Sequence, residues 1–90
     1  MSRVHVIISG DVQGVGFRAW AMHLAKELHL VGWVTNREDD TVEVVAEGEK
    51  LDLVDFANQC HKGPELAAVK TVDIQWEKPT GEFMSFEVVY

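Results

Sequence analysis

Three glycines fall within the seven residues Gly10 to Gly16, and the hydrophobic period of the chain changes across them. Before them, Val4 to Ser9 is rich in β-branched residues and apolar on both parities, as expected of a central strand. After them, Phe17, Trp20, Ala21, Leu24 and Leu28 recur at helical spacing and form one apolar stripe. A strand, a glycine loop and a helix N-terminus in direct succession leave few folds open.

The rest of the chain narrows them. The first helix is expected to end near His29, before Gly32. Gly32-Trp33-Val34-Thr35-Asn36 resumes strand composition, and Val42, Val44 and Ala46 alternate with Glu43 and Glu47 as in a half-buried strand. The short polar stretch Arg37 to Thr41 between them reads as a hairpin. Leu53, Phe56, Ala57 and Cys60 line one face of a second helix that opens after Gly48 and stops at Gly63-Pro64. Val72, Ile74 and Trp76 alternate in a fourth strand. Thr80-Gly81 marks a turn, and Phe86, Val88 and Tyr90 a last short strand. The order β-α-β-β-α-β plus a C-terminal strand predicts an α+β, split βαβ sandwich of one domain over residues 1–90, with both helices on one face of an antiparallel sheet.

Composition excludes several function classes. Of 90 residues, 47% are hydrophobic and only two are Pro, which rules out a disordered or low-complexity chain. No apolar run approaches the roughly 20 residues that span a bilayer, and Met1 to Ile8 is too short and too early interrupted for a secretory signal. Fifteen acids against eight bases give a formal charge of −7, which argues against nucleic acid and anionic membranes as partners. An RNA-recognition domain of this topology would also carry aromatics on its central strands, and Val4–Ser9 and Val42–Glu47 have none. One cysteine, Cys60, forms no internal bridge, so the expected compartment is the reducing cytoplasm; a monomer is the default expectation.

The chemistry concentrates in Gly10-Asp11-Val12-Gln13-Gly14-Val15-Gly16-Phe17-Arg18. At a helix N-terminus several N–H groups lack intrahelical partners and the helix dipole adds partial positive charge. Gly14 and Gly16 permit conformations that turn successive amides toward one point, and Arg18 can add a planar, bidentate contact. A phosphate fits such an anion nest. A plain βα turn with a solvated Arg18 explains the same residues, and on pattern alone both readings stand. Asn36 also has two readings: a hairpin cap, its commoner use, or a carboxamide turned toward the glycine loop to hold a water as donor and acceptor together. A Walker loop is excluded, because no Gly-Lys-Ser/Thr follows.

Other sites are thin. His5, His23, His29 and His61 have no metal-ligand spacing and no Cys-x-x-Cys exists, so no metal is expected. Cys60 lies on an apolar stripe and reads as packing. Trp20, Trp33 and Trp76 read as core or core-edge residues.

The combination Val12-Gln13-Gly14-Val15-x-Phe17-Arg18, followed by Gly32-Trp33-Val34-x-Asn36 and later by Gly63-Pro64 with Ala67 and Val69, resembles the acylphosphatase family over essentially the whole chain. The resemblance implies a ferredoxin-like sandwich and hydrolysis of acyl phosphates to carboxylate and inorganic phosphate, without metal or cofactor. It carries phosphoryl binding onto Arg18 with the amides of Val12, Gln13, Gly14, Val15, Gly16 and Phe17, and orientation of the attacking water onto Asn36. Inorganic phosphate is then expected as product and competitive inhibitor. A non-catalytic phosphate-binding or regulatory domain of the same fold is the alternative. Two positions depart from the family pattern: Thr35 stands where many members carry a basic residue, and Asp40 replaces the usual glycine of the hairpin, so a left-handed aspartate is expected there.

Overall fold

A computed structural model describes all residues from Met1 to Tyr90. The β-branched run before the glycines forms β1 (Ser2–Asp11), and the helical stripe forms α1 (Phe17–Glu27). Then follow β2 (Val31–Asn36), β3 (Val42–Gly48), α2 (Lys50–Cys60), β4 (Ala68–Glu77) and β5 (Phe86–Val89). The sheet order is β4-β1-β3-β2-β5. The first four strands pair antiparallel as predicted, whereas β5 joins β2 in parallel, so the sheet is mixed. The reason is topological. β4 and β5 occupy opposite edges, and the chain must cross the whole sheet between Glu77 and Phe86, which brings β5 in along the direction of β2.

The core lies between the helices and one face of the sheet. Val4, Val6 and Ile8 of β1 are fully buried there with Val34, Val42, Val44, Phe17, Leu53 and Phe56. Burying each large apolar side chain contributes about 1.5–3 kcal/mol. Period-2 alternation places Gly32, Val34 and Asn36 of β2 on this helix-covered face and Trp33 and Thr35 on the other. The α1 helix ends near the predicted position in a Schellman motif. His29 takes the left-handed conformation (φ 59°), the His29 N–H donates to Lys26 and the Leu30 N–H to Ala25 at 2.8 Å.

Two expectations fail, one on each face of the sheet. Glu47 does not face water: it is fully buried. The segment after β4 folds across it, and its carboxylate accepts hydrogen bonds from the Arg3 guanidinium (3.0 Å) and from the backbone N–H groups of Thr80 (2.9 Å) and Gly81 (3.0 Å). Burial pushes this carboxyl's pKa up, but those donors outweigh it and hold the group below the usual range. Trp76 is 47% exposed on the β4 edge strand, stacked on the Lys50 ammonium at 5.6 Å rather than set in the core. Trp20 is half-buried against the core edge, whereas Trp33 is half-buried on the face away from the helices.

Candidate active site

The strands β1, β2 and β5 run in the same direction, so their C-terminal ends meet at one end of the sheet. There the glycine loop leaves β1, Asn36 ends β2, and Tyr90 follows β5. Between them opens a cleft of about 220 Å³. This is smaller than a pocket for a drug-sized ligand. It is walled by Val12, Gly14, Gly16, Phe17, Arg18 and Asn36, and on its outer side by Ala19, Met22, Val88 and Tyr90.

The loop is shaped by its glycines. Gly14 (φ 75°) and Gly16 (φ 79°) both take the left-handed conformation, and a Cβ at either would meet no atom within 4 Å. The backbone angle, not crowding, requires glycine, and the space beside both residues is open. Gly16 is the N-cap of α1, without a side-chain cap and with no acid in the first helical turn. The first intrahelical bond is Trp20 N–H to Gly16 C=O at 3.0 Å, and no N–H from Gln13 to Ala19 donates to an acceptor within the chain. A row of unpaired donors and an uncompensated helix dipole therefore lie beside the cleft, which Gly14, Gly16 and Phe17 of that row line.

Arg18 enters from the first turn of α1. It makes no ion pair or hydrogen bond within the protein, and its guanidinium lies over the Tyr90 ring at 4.6 Å. Stacking on an aromatic face restrains the side chain while leaving its N–H groups unused. Asn36 supplies the complementary feature. Its Oδ1 is buried and has no hydrogen-bond partner.

The hairpin-cap reading of Asn36 does not hold. The turn is closed by Asp39, whose Oδ1 accepts from the Thr41 N–H (3.2 Å) and hydroxyl (2.5 Å), and by the Arg37 N–H to Thr41 C=O bond (2.9 Å). Those Thr41 donors hold the Asp39 carboxyl below its usual range. Asp40 is left-handed as expected (φ 70°).

Of the residues singled out in the sequence, Val12, Gly14, Gly16, Phe17, Arg18 and Asn36 come together in the cleft. Gln13 and Val15 do not line it. The Gln13 side chain turns to the hairpin and Val15 packs against the core. Thr35 points to the opposite face, where its hydroxyl donates to Val89 C=O at 2.7 Å. Met22, Val88 and Tyr90 were not anticipated in the wall. Met22 lies one helical turn beyond Arg18, a spacing visible in the sequence, whereas β5 reaches the cleft only through its parallel pairing. No group of three or more His, Cys, Asp or Glu side chains is placed to hold a metal ion. Burial pushes the Cys60 thiol up to about 12, far from any nucleophilic use. No helix is long and apolar enough to cross a membrane.

Comparison with known proteins converges on one family. The sequence model of the family described as Acylphosphatase matches residues 4–88. An acylphosphatase of Roseiflexus sp. (strain RS-1) is 49% identical over 90 residues, covering all of this chain and 97% of the relative. The crystal structure of acylphosphatase from Bacillus subtilis superposes with a TM-score of 0.96 at 33% identity, covering 100% of both chains. The fold also recurs inside a larger protein: full-length HypF, solved in a phosphate- and nucleotide-bound form, matches 99% of this chain over 12% of its own length, with a TM-score of 0.90 and 27% identity.

Proposed function

The chain belongs to the acylphosphatase family, whose members are hydrolases, and we propose that in it Arg18 and the loop amides hold the phosphoryl group of a small acyl phosphate while Asn36 orients the attacking water. Phosphoryl transfer of this kind asks little covalent chemistry of the protein. Water must be held in line with phosphorus, and charge must be stabilised on the equatorial oxygens. Fixed N–H donors from Val12 through Phe17 and the Arg18 guanidinium serve the second task. Asn36 serves the first. The water oxygen bonds to phosphorus, the phosphorus–oxygen bond to the acyl group breaks, the carboxylate departs with the bonding electrons, and the surplus proton of the water passes to a phosphate oxygen and on to solvent. A carboxylate is a good leaving group, so no strong general acid is needed.

One observation carries this reading over that of a non-catalytic phosphate-binding domain. Asn36 lines the cleft beside the loop, and its buried Oδ1 has no partner within the chain. A carbonyl oxygen repels phosphate oxygens, so a site that only binds phosphate has no use for it. A water molecule donates to it and presents its own lone pair to phosphorus. We read residues 1–90 as one domain acting as a cytoplasmic monomer, a reading supported by the buried Cys60, which offers no surface thiolate for a bridge between copies.

The direct test is turnover of acetyl phosphate by the purified protein. We expect hydrolysis that survives exhaustive chelation and is inhibited competitively by inorganic phosphate. Phosphate binding without turnover would establish the binding-domain reading instead, and loss of activity on chelation would overturn a metal-free mechanism.

A further inference from the structure

The side chain of Gln13 spends both of its N–H donors on one place. Its Nε2 donates to Arg37 C=O at 2.9 Å and to Thr41 C=O at 3.0 Å. These are the carbonyls at the two ends of the β2–β3 turn. Thr41 C=O also accepts the Arg37 N–H, and Arg37 C=O accepts the Asp40 N–H at 3.3 Å. Gln13 therefore caps the closing pair of the hairpin, while its own backbone belongs to the glycine loop. Arg37 directly follows Asn36, so fixing the Arg37 carbonyl fixes the peptide that Asn36 ends on.

We infer that Gln13 is a positioning residue that ties the phosphate loop to the strand end bearing Asn36, and so sets the distance between the bound phosphoryl group and the attacking water. The inference rests on the roles given to Arg18 and Asn36 above. Nothing else joins these two segments by side-chain hydrogen bonds. The loop amides from Gln13 to Ala19 make no bond within the chain, and the Asn36 carboxamide makes none either. Without the bracket, the loop and the hairpin are held together only by packing. Phosphate affinity depends on the loop alone, whereas turnover depends on both segments in register.

The variants Gln13→Ala and Gln13→Glu test this, with Asn36→Ala measured beside them. Misplacement of reacting groups by about 1 Å costs on the order of 10²-fold in rate. Gln13→Ala is therefore expected to lower kcat by about 10–100-fold, with the competitive inhibition constant of inorganic phosphate kept within about threefold. Adding Gln13→Ala to Asn36→Ala should cost less than about threefold further, because both act on the same water. Gln13→Glu keeps the shape but sets a carboxylate against two carbonyl oxygens, which raises its pKa. Protonation restores one donor, so the ratio of variant to wild-type kcat should climb as pH falls toward about 5. Taking the ratio removes titration of the neighbouring Asp11, Asp39, Asp40 and Glu43, which is common to both proteins.

A purely structural role for Gln13 predicts a flat ratio. Should Gln13→Ala fail to fold, the isosteric Gln13→Glu carries the test by itself. A flat ratio, strictly additive losses, or wild-type kcat in folded Gln13→Ala would each overturn the inference. If Asn36→Ala keeps wild-type turnover, the water-orienting role falls and the bracket's purpose falls with it. If Asn36→Ala loses turnover and Gln13→Ala does not, only the bracket is wrong.

Discussion

The two ends of the sheet handle polar groups in opposite ways. At the N-terminal ends of β1 and β2, Glu77, Arg3, Glu47 and Val31 form one register row across four strands. There Glu47 is fully buried and bonded to Arg3, Thr80 and Gly81, and Arg3 reaches Glu77 (3.1 Å) and Glu82 (3.2 Å) as well. At the other end Arg18 has no acid, the loop amides have no acceptor, and Asn36 Oδ1 is buried without a partner. A buried polar group left unpaired costs about 1–3 kcal/mol. One end is satisfied by its own chain, and the other holds its donors and acceptor open for something the chain does not supply. Stability is gathered where the strap crosses the sheet, and unspent hydrogen-bonding capacity where the chemistry is read.

The comparison breaks first at Arg18. Arg18→Ala should weaken phosphate inhibition and lower turnover by about 10²–10³, the usual cost of a lost donor to a developing oxyanion and equivalent to about 2.7–4 kcal/mol in barrier. Its thermal stability should stay close to wild type, because Arg18 makes no ion pair. Arg18→Lys should recover little, since an ammonium does not reproduce the planar fork. A large fall in melting temperature for Arg18→Ala would show that this end, too, is built for stability.

At the opposite end Glu47→Ala should do the reverse. It strips the acceptor from the Thr80 and Gly81 N–H groups, from the Thr80 hydroxyl and from Arg3, which keeps Glu77 and Glu82. A loss of about 2–3 kcal/mol is expected, which lowers the melting temperature of a domain this size by about 10–20 °C. The kcat of the folded fraction should change little. The same carboxylate makes stability depend on pH. Its folded pKa lies below the unfolded one, so its contribution is full above about pH 4.3 and is lost as pH falls through the lower folded value. Chemical denaturation across pH 2–7 should show a shallower acid decline in Glu47→Gln than in wild type. Equal slopes would assign the acid sensitivity to other carboxylates.

What was legible in the sequence follows the range of the forces involved. The β1–loop–α1 unit could be read because its signals are local: a change of period, three glycines and an arginine one residue into the helix. The Glu47 misreading has the opposite cause. Alternation of Val42, Val44 and Ala46 with Glu43 and Glu47 signals a face open to water, and only a segment more than thirty residues away covers Glu47. The parallel pairing of β5, and with it the Val88 and Tyr90 wall of the cleft, depends on the same crossing. Asn36 was ambiguous for a different reason: an asparagine before a turn looks alike whether its side chain caps the turn or lies on the core face. The alternation Gly32, Val34, Asn36 carried the answer, because it sets Asn36 on the face of buried Val34. Gln13 was read for its backbone, and the reach of its side chain across to Arg37 and Thr41 is a tertiary fact with no local trace.

The smallest expected effect compares two turns, one at each end, that use the same backbone angle. Gly81 in the strap has φ 72°, and Asp40 in the hairpin has φ 70°. A left-handed conformation costs an L-residue roughly 1–2 kcal/mol, less for aspartate when its short side chain bonds locally. Here the Asp40 carboxylate makes no hydrogen bond; the turn's side-chain acceptor is Asp39. Asp40→Gly therefore relieves strain without removing a contact. The gain is offset by the extra freedom of glycine in the unfolded chain, about 0.5–1 kcal/mol. The net should be a stabilisation of about 0.5 kcal/mol, or a few degrees in melting temperature. Because Gln13 holds the Arg37 and Thr41 carbonyls on either side of Asp40, the hairpin should keep its position and kcat should match wild type. Gly81→Ala places the same strain at the other end, beside an N–H that Glu47 needs, and should lower the melting temperature instead. If Asp40→Gly proves destabilising, the hairpin draws on Asp40 for something other than backbone shape.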